Sequence, residues 1–127
     1  MTTAEDKYST PVKPLEIKVL REEKRLDISF EDGKVFELPA EYLRVESPSA
    51  EVQGHGAGPK KIIGGRRHVA IMNVEPVGHY AIRIFFDDLH DSGLFSWRYL
   101  YQLGEEYEAR WAKYLDDLAR EGKRRDP

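Results

Sequence analysis

Asp87, Asp88, His90 and Asp91 crowd into one five-residue stretch. Carboxylates and an imidazole together suit a divalent cation or acid–base chemistry. His55, from a glycine-rich segment upstream, is the residue best placed by type to join them. The same residues have a structural use, because aspartate is favoured in turns and at helix caps. A second constellation is GHGAGPKKIIGGRRH, from Gly54 to His68. Glycine N–H groups with Lys60, Lys61, Arg66 and Arg67 have the chemistry to hold a phosphate or carboxylate. The segment matches neither GxGxxG nor GxxxxGK[ST] and lacks a strand–loop–helix setting, so it reads as an exposed surface loop. A third set is aromatic: Trp97, Tyr99, Tyr101, Tyr107, Trp111 and Tyr114. Such rings either pack a small core or meet a partner. Gly54, His55, Gly56, Trp97 and Tyr99 are the residues assigned to a recognition surface.

Two absences narrow the chemistry. A non-haem iron(II) centre typically begins His-x-Asp or His-x-Glu. Here His55, His68, His79 and His90 are followed two positions on by Ala57, Ala70, Ala81 and Ser92. No GxSxG nucleophile elbow occurs either. The chain has no cysteine, which excludes disulfides, thiolate zinc sites and a cysteine nucleophile.

These residues must be positioned by a single domain, since 127 residues is an ordinary domain length. Charged residues are 34% and hydrophobic residues 40%, the balance of a folded, water-exposed chain. The formal net charge of -3, from 20 basic and 23 acidic residues, argues against a general nucleic-acid or membrane-surface binder. No apolar run reaches the ~20 residues that span a bilayer. The first residues lack the apolar core of a signal peptide, so a cytoplasmic location is expected.

The elements follow from periodicity. Residues 1–14 are polar and read as a mobile leader. Leu15, Ile17 and Val19 alternate with polar neighbours, and Leu26, Ile28 and Phe30 do the same. Asp32-Gly33 then precedes Val35, Phe36 and Leu38, which predicts a hairpin with a type I′ turn. Three antiparallel strands are expected from this part. Pro39 to Val45 predicts a short helix starting at proline. His68 to Glu75 predicts a strand with Val69, Ile71 and Asn73 on one face, and Tyr80, Ile82, Ile84 and Phe86 form one face of the next. Asp87 to Gly93 reads as an acidic turn. Ser96 is an N-cap for a helix bearing Trp97, Leu100 and Tyr101, and Gly104 reads as its stop. Tyr107, Trp111, Tyr114, Leu115 and Leu118 predict a last helix, leaving GKRRDP frayed. The expected class is α+β: an antiparallel sheet built from a meander and a hairpin, a short helix, and one or two C-terminal helices.

LPAEYLRVESPSAEVQGHG and VEPVGHYAIRIFFDDLHDSGLFSWRYLYQLG resemble the gamma-butyrobetaine hydroxylase-like N-terminal domain family, catalogued as a domain of unknown function. The resemblance covers residues 15–104 and leaves 105–127 as a C-terminal helix and tail. In the hydroxylase the domain binds zinc through a Cys-x-Cys-x-x-Cys run and a later histidine. Those positions correspond to Ser47, Ser49, Val52 and His90 here, so three of the four ligands are lost. The resemblance therefore implies a metal-free site held by hydrogen bonds or packing. The dioxygenase barrel is absent from the sequence, so hydroxylase activity is not implied. Similar domains also occur joined to Mrp-type P-loop ATPases of iron–sulfur cluster assembly, which implies a role near such machinery.

Two readings follow. The first is a non-enzymatic binding or adaptor module with a protein partner and no cofactor. The second is a divalent-metal site on His90, Asp87, Asp88 and Asp91, joined by His55, in an iron-handling or metal-dependent protein.

Overall fold

In the computed structural model, residues 13–48, 62–88 and 91–127 are described, with backbone alone at 91–93. Three strands, β1 (Pro14–Leu20), β2 (Arg25–Phe30) and β3 (Val35–Pro39), form an antiparallel sheet in sequence order. Alternation dictates its inner face: Leu26, Ile28, Phe30 and Leu38 are buried while Asp27 and Glu37 pair across the other side.

The β2–β3 turn differs from the expected type I′. Gly33 N–H donates to Phe30 O at 3.0 Å and Phe30 N–H donates to Lys34 O at 2.9 Å. Only Gly33 takes positive φ, at 92°. This is a three-residue loop, a type I turn closed by a glycine bulge, in which Asp32 keeps ordinary φ. Asp32 contributes instead through its side chain, which accepts from Lys34 N–H and from the Tyr101 hydroxyl.

The short helix α1 (Ala40–Val45) does not start at proline: Pro39, with extended backbone at φ -63° and ψ 146°, ends β3 and takes the position just before the first helical residue. Every residue of α1 is buried, including Glu41 and Arg44. A second antiparallel sheet consists of β4 (Ile71–Val77), β5 (Ala81–Phe86) and β6 (Asp91–Ser96). The third strand corrects the reading of residues 91–93 as a turn. Asp, Ser and Gly are poor strand formers, but pairing of Leu94 and Phe95 with Arg83 and Ile82 overrides local preference. The face assigned to β4 also changes. A register shift between Ile71 and Asn73 places Val74 opposite Ile84 and leaves Asn73 exposed. On β5, Ile82, Ile84 and Phe86 are buried as expected, whereas Tyr80 sits in the preceding turn, 55% exposed.

Helix α2 (Trp97–Glu105) starts where its cap predicts, with Tyr99 N–H donating to Ser96 Oγ at 3.0 Å. It does not stop at Gly104. A Cβ built there would lie 2.3 Å from the Phe36 ring, so the glycine serves the close approach of α2 to β3. Glu106 alone separates α2 from α3 (Tyr107–Arg120). The inner faces of both sheets, α1 and α2 share one core. Tyr114 and Leu118 of α3 pack with Val45 in a smaller one.

The C-terminal tail is not frayed. Gly65 N–H donates to Arg124 O at 2.8 Å and Arg67 N–H to Arg125 O at 3.0 Å. The Arg125 guanidinium grips buried Glu41 through three contacts of 2.7–3.2 Å and lies 5.3 Å from the Trp111 ring centroid. Among the described residues, no helix is long and apolar enough to cross a membrane.

Candidate functional site

The acidic stretch is used by the fold as far as it is described. Asp87 closes a two-way link to Ala70: its N–H donates to Ala70 O at 2.9 Å, and its Oδ1 accepts from Ala70 N–H at 3.0 Å. Asp88 Oδ2 lies 2.8 Å from Arg44 Nε and 2.9 Å from Arg66 Nε. Arg44 is only 1% exposed. A guanidinium cannot shed its charge at that depth, and Asp88 supplies countercharge to it. Three segments meet there: α1, the strand-free run 62–70, and the end of β5. His90 and the Asp91 side chain lie outside the described residues, as do Gly54, His55, Gly56, Lys60 and Lys61. Among the described residues no three His, Asp or Glu side chains group to hold a cation.

The zinc set implied by the family resemblance does not fit the described residues. Ser47 stands at the first thiolate position and is fully buried, and a serine hydroxyl is a poor donor for zinc. Ser49 and Val52 lie outside the described residues. Asp88, the nearest carboxylate to His90 in sequence whose side chain is described, already serves two guanidiniums.

Trp97 and Tyr99 are both partly buried. Trp97 Nε1–H donates to His79 O at 2.9 Å, which ties α2 to the β4–β5 turn. Tyr99 packs on Phe95 and its hydroxyl donates to Glu46 O. Burial pushes the Tyr99 phenol up to about 12. Of the four cations in the glycine-rich stretch, Arg66 is paired with Asp88 and Arg67 with Asp126, which weakens a phosphate-binding reading of that stretch.

An open groove of about 510 Å³ lies where α3 crosses the end of α1. Sequence reasoning did not find it, because its wall is built from three remote segments. Val45, Ile62, Ile63 and Tyr114 give it apolar surface. Glu46, Glu106, Arg110, Lys113, Asp117 and Glu121 give it a charged rim. Arg110 sits between two carboxylates, at 2.9 Å from Glu46 and 2.8 Å from Glu106, and Lys113 is 2.9 Å from Asp117. Glu46 is 3% exposed, so its pairing to Arg110 fixes the groove floor rather than offering a free charge. Tyr114 is held in place by its hydroxyl, which donates to Ile63 O at 2.6 Å. Burial raises that phenol to about 12 as well. Apolar surface with an oriented polar rim is the usual make-up of a binding site.

The family model described as gamma-butyrobetaine hydroxylase-like, N-terminal, matches residues 17–101. An NMR solution structure of a protein 47% identical to this chain covers 91% of each chain with a TM-score of 0.80. A second NMR structure, 40% identical, covers 100% of this chain and 92% of that one with a TM-score of 0.81. A crystal structure from Acidithiobacillus ferrooxidans ATCC 23270, of a protein with unknown function in the DUF971 family, is 38% identical. It covers 72% of this chain and 92% of that one with a TM-score of 0.62. No curated protein matches the chain.

Proposed function

This chain belongs to the gamma-butyrobetaine hydroxylase-like N-terminal domain family, and from that premise we propose that it is a non-enzymatic binding module that docks a protein partner in the groove between α1 and α3. The groove itself carries the reading: about 510 Å³ of open space with apolar surface and a rim of ion-paired side chains. Its rigidity supports the reading too. Arg110, Glu46 and Tyr114 are each fixed by short polar contacts, so little side-chain ordering remains to be done on binding. A component of iron–sulfur cluster assembly is the first partner to test, since the resemblance extends to domains joined to ATPases of that machinery. A divalent-metal centre is the weaker reading, because Asp88 already faces two guanidiniums.

The test is affinity capture from native lysate with three forms of the protein. Lys113→Glu with Glu121→Lys alters the groove rim at side chains 75% and 47% exposed, where folding is little affected. Glu16→Lys changes the exposed side of the first sheet, remote from the groove. The proposal expects a partner held by wild type and by the Glu16 variant, and weakened at least about tenfold by the rim variant (a change of ~1.4 kcal/mol). Equal retention by all three rejects the groove as the docking surface.

A further inference from the structure

We infer that the Arg44–Asp88–Arg66 cluster is a built-in ionic cross-link that makes this fold independent of metal. Ser47 and His90, the positions aligned by resemblance with zinc ligands, sit on the segments that follow α1 and β5. Arg44 lies three residues before Ser47, and Asp88 two before His90. The 2.8 Å Arg44–Asp88 contact therefore joins the same two stretches that a metal would join, across 44 residues of sequence. Arg66 adds a third stretch through its 2.9 Å contact with the same carboxylate oxygen.

Charge decides the exclusivity. Arg44 is 1% exposed and its partner Asp88 has a side chain 23% exposed. Two guanidiniums converging on one oxygen leave that carboxylate poorly suited to a dication, which would bring further positive charge into a partly desolvated site. The same geometry makes the cluster a unit. Removing Asp88 leaves Arg44 buried without that countercharge and facing Arg66. Removing Arg44 relieves much of that cost.

The test is thermal unfolding of untagged protein with excess EDTA, with added Zn²⁺ and with neither, beside a double-mutant cycle of Arg44→Met and Asp88→Asn. The wild type is expected to keep its Tm within ~2 °C in all three conditions, because a ligand stabilises only what it binds. Asp88→Asn is expected to lower Tm by ~10 °C or more. The double variant should lose clearly less than the two single losses summed. Asp88→Glu, which keeps the charge, should recover part of the loss and separates lost charge from lost shape. A Tm that falls several degrees in EDTA, or rises several in Zn²⁺, overturns the inference without any variant. Strictly additive single losses overturn it as well.

Discussion

Single side chains in this protein are committed by burial more than by sequence type. Tyr99 and Tyr114 both end in a backbone carbonyl, Glu46 O and Ile63 O. Both phenols are pushed up to about 12 from an ordinary 10, chiefly by burial. Burial raises the Tyr42 phenol too. A raised phenol favours the protonated folded state, so this contribution is fully present below pH ~10 and is lost as pH climbs through about 12. Urea unfolding at a series of pH values across that window is expected to show stability falling, with a shallower slope in Tyr99→Phe. A slope unchanged by that substitution would mean the phenol is not linked to folding. Asp88 makes the same point about commitment. By type and neighbours it reads as a candidate ligand, but its countercharge role depends on Arg44 being buried 44 positions away, which no local pattern announces.

At the scale of elements, the alternation of β2, the inward set Ile82, Ile84 and Phe86 of β5, the short helix after Pro39 and the Ser96 cap were legible, because each rests on residues close in sequence. On β1 the alternation holds at Ile17 and Val19 but not at Leu15, which a register shift beside Pro14 leaves 68% exposed. Three further features were not legible. β6 looked like a turn because Asp91, Ser92 and Gly93 have turn chemistry, and only its partner β5 makes it a strand. The tail looked frayed because its anchor, Glu41, is buried by tertiary packing. Gly104 looked like a helix stop because glycine commonly ends helices, whereas here it lets α2 lie against Phe36. This last correction gives a prediction of opposite sign to helix propensity. Gly104→Ala would gain up to ~1 kcal/mol in an open helix. Against an aromatic ring also packed on Phe30 and Tyr101, overpacking should instead cost about 1–3 kcal/mol. Urea denaturation measures it, and Phe36→Leu in the same chain should return part of the loss. A more stable Gly104→Ala protein would disprove the close approach.

For the whole molecule, two three-stranded sheets, α1 and α2 enclose the main core, with Tyr107 and Trp111 of α3 packed against it. Polar contacts add further ties between α1, α3, residues 62–67 and the C-terminal tail: Arg125 to Glu41, Arg110 to Glu46, Lys123 to Ile62 O, and the Asp88 cluster. The α+β class was visible in the order of strands and helices. The groove was not, since its walls come from α1, residues 62–63 and α3 and exist only once those contacts form. Docking in that groove is read out by amide chemical-shift mapping with the captured partner. The largest shifts are expected on Ile62, Ile63, Glu106, Arg110, Lys113 and Tyr114. Shifts concentrated instead on Glu16, Lys18 and Val35 of the first sheet would contradict it.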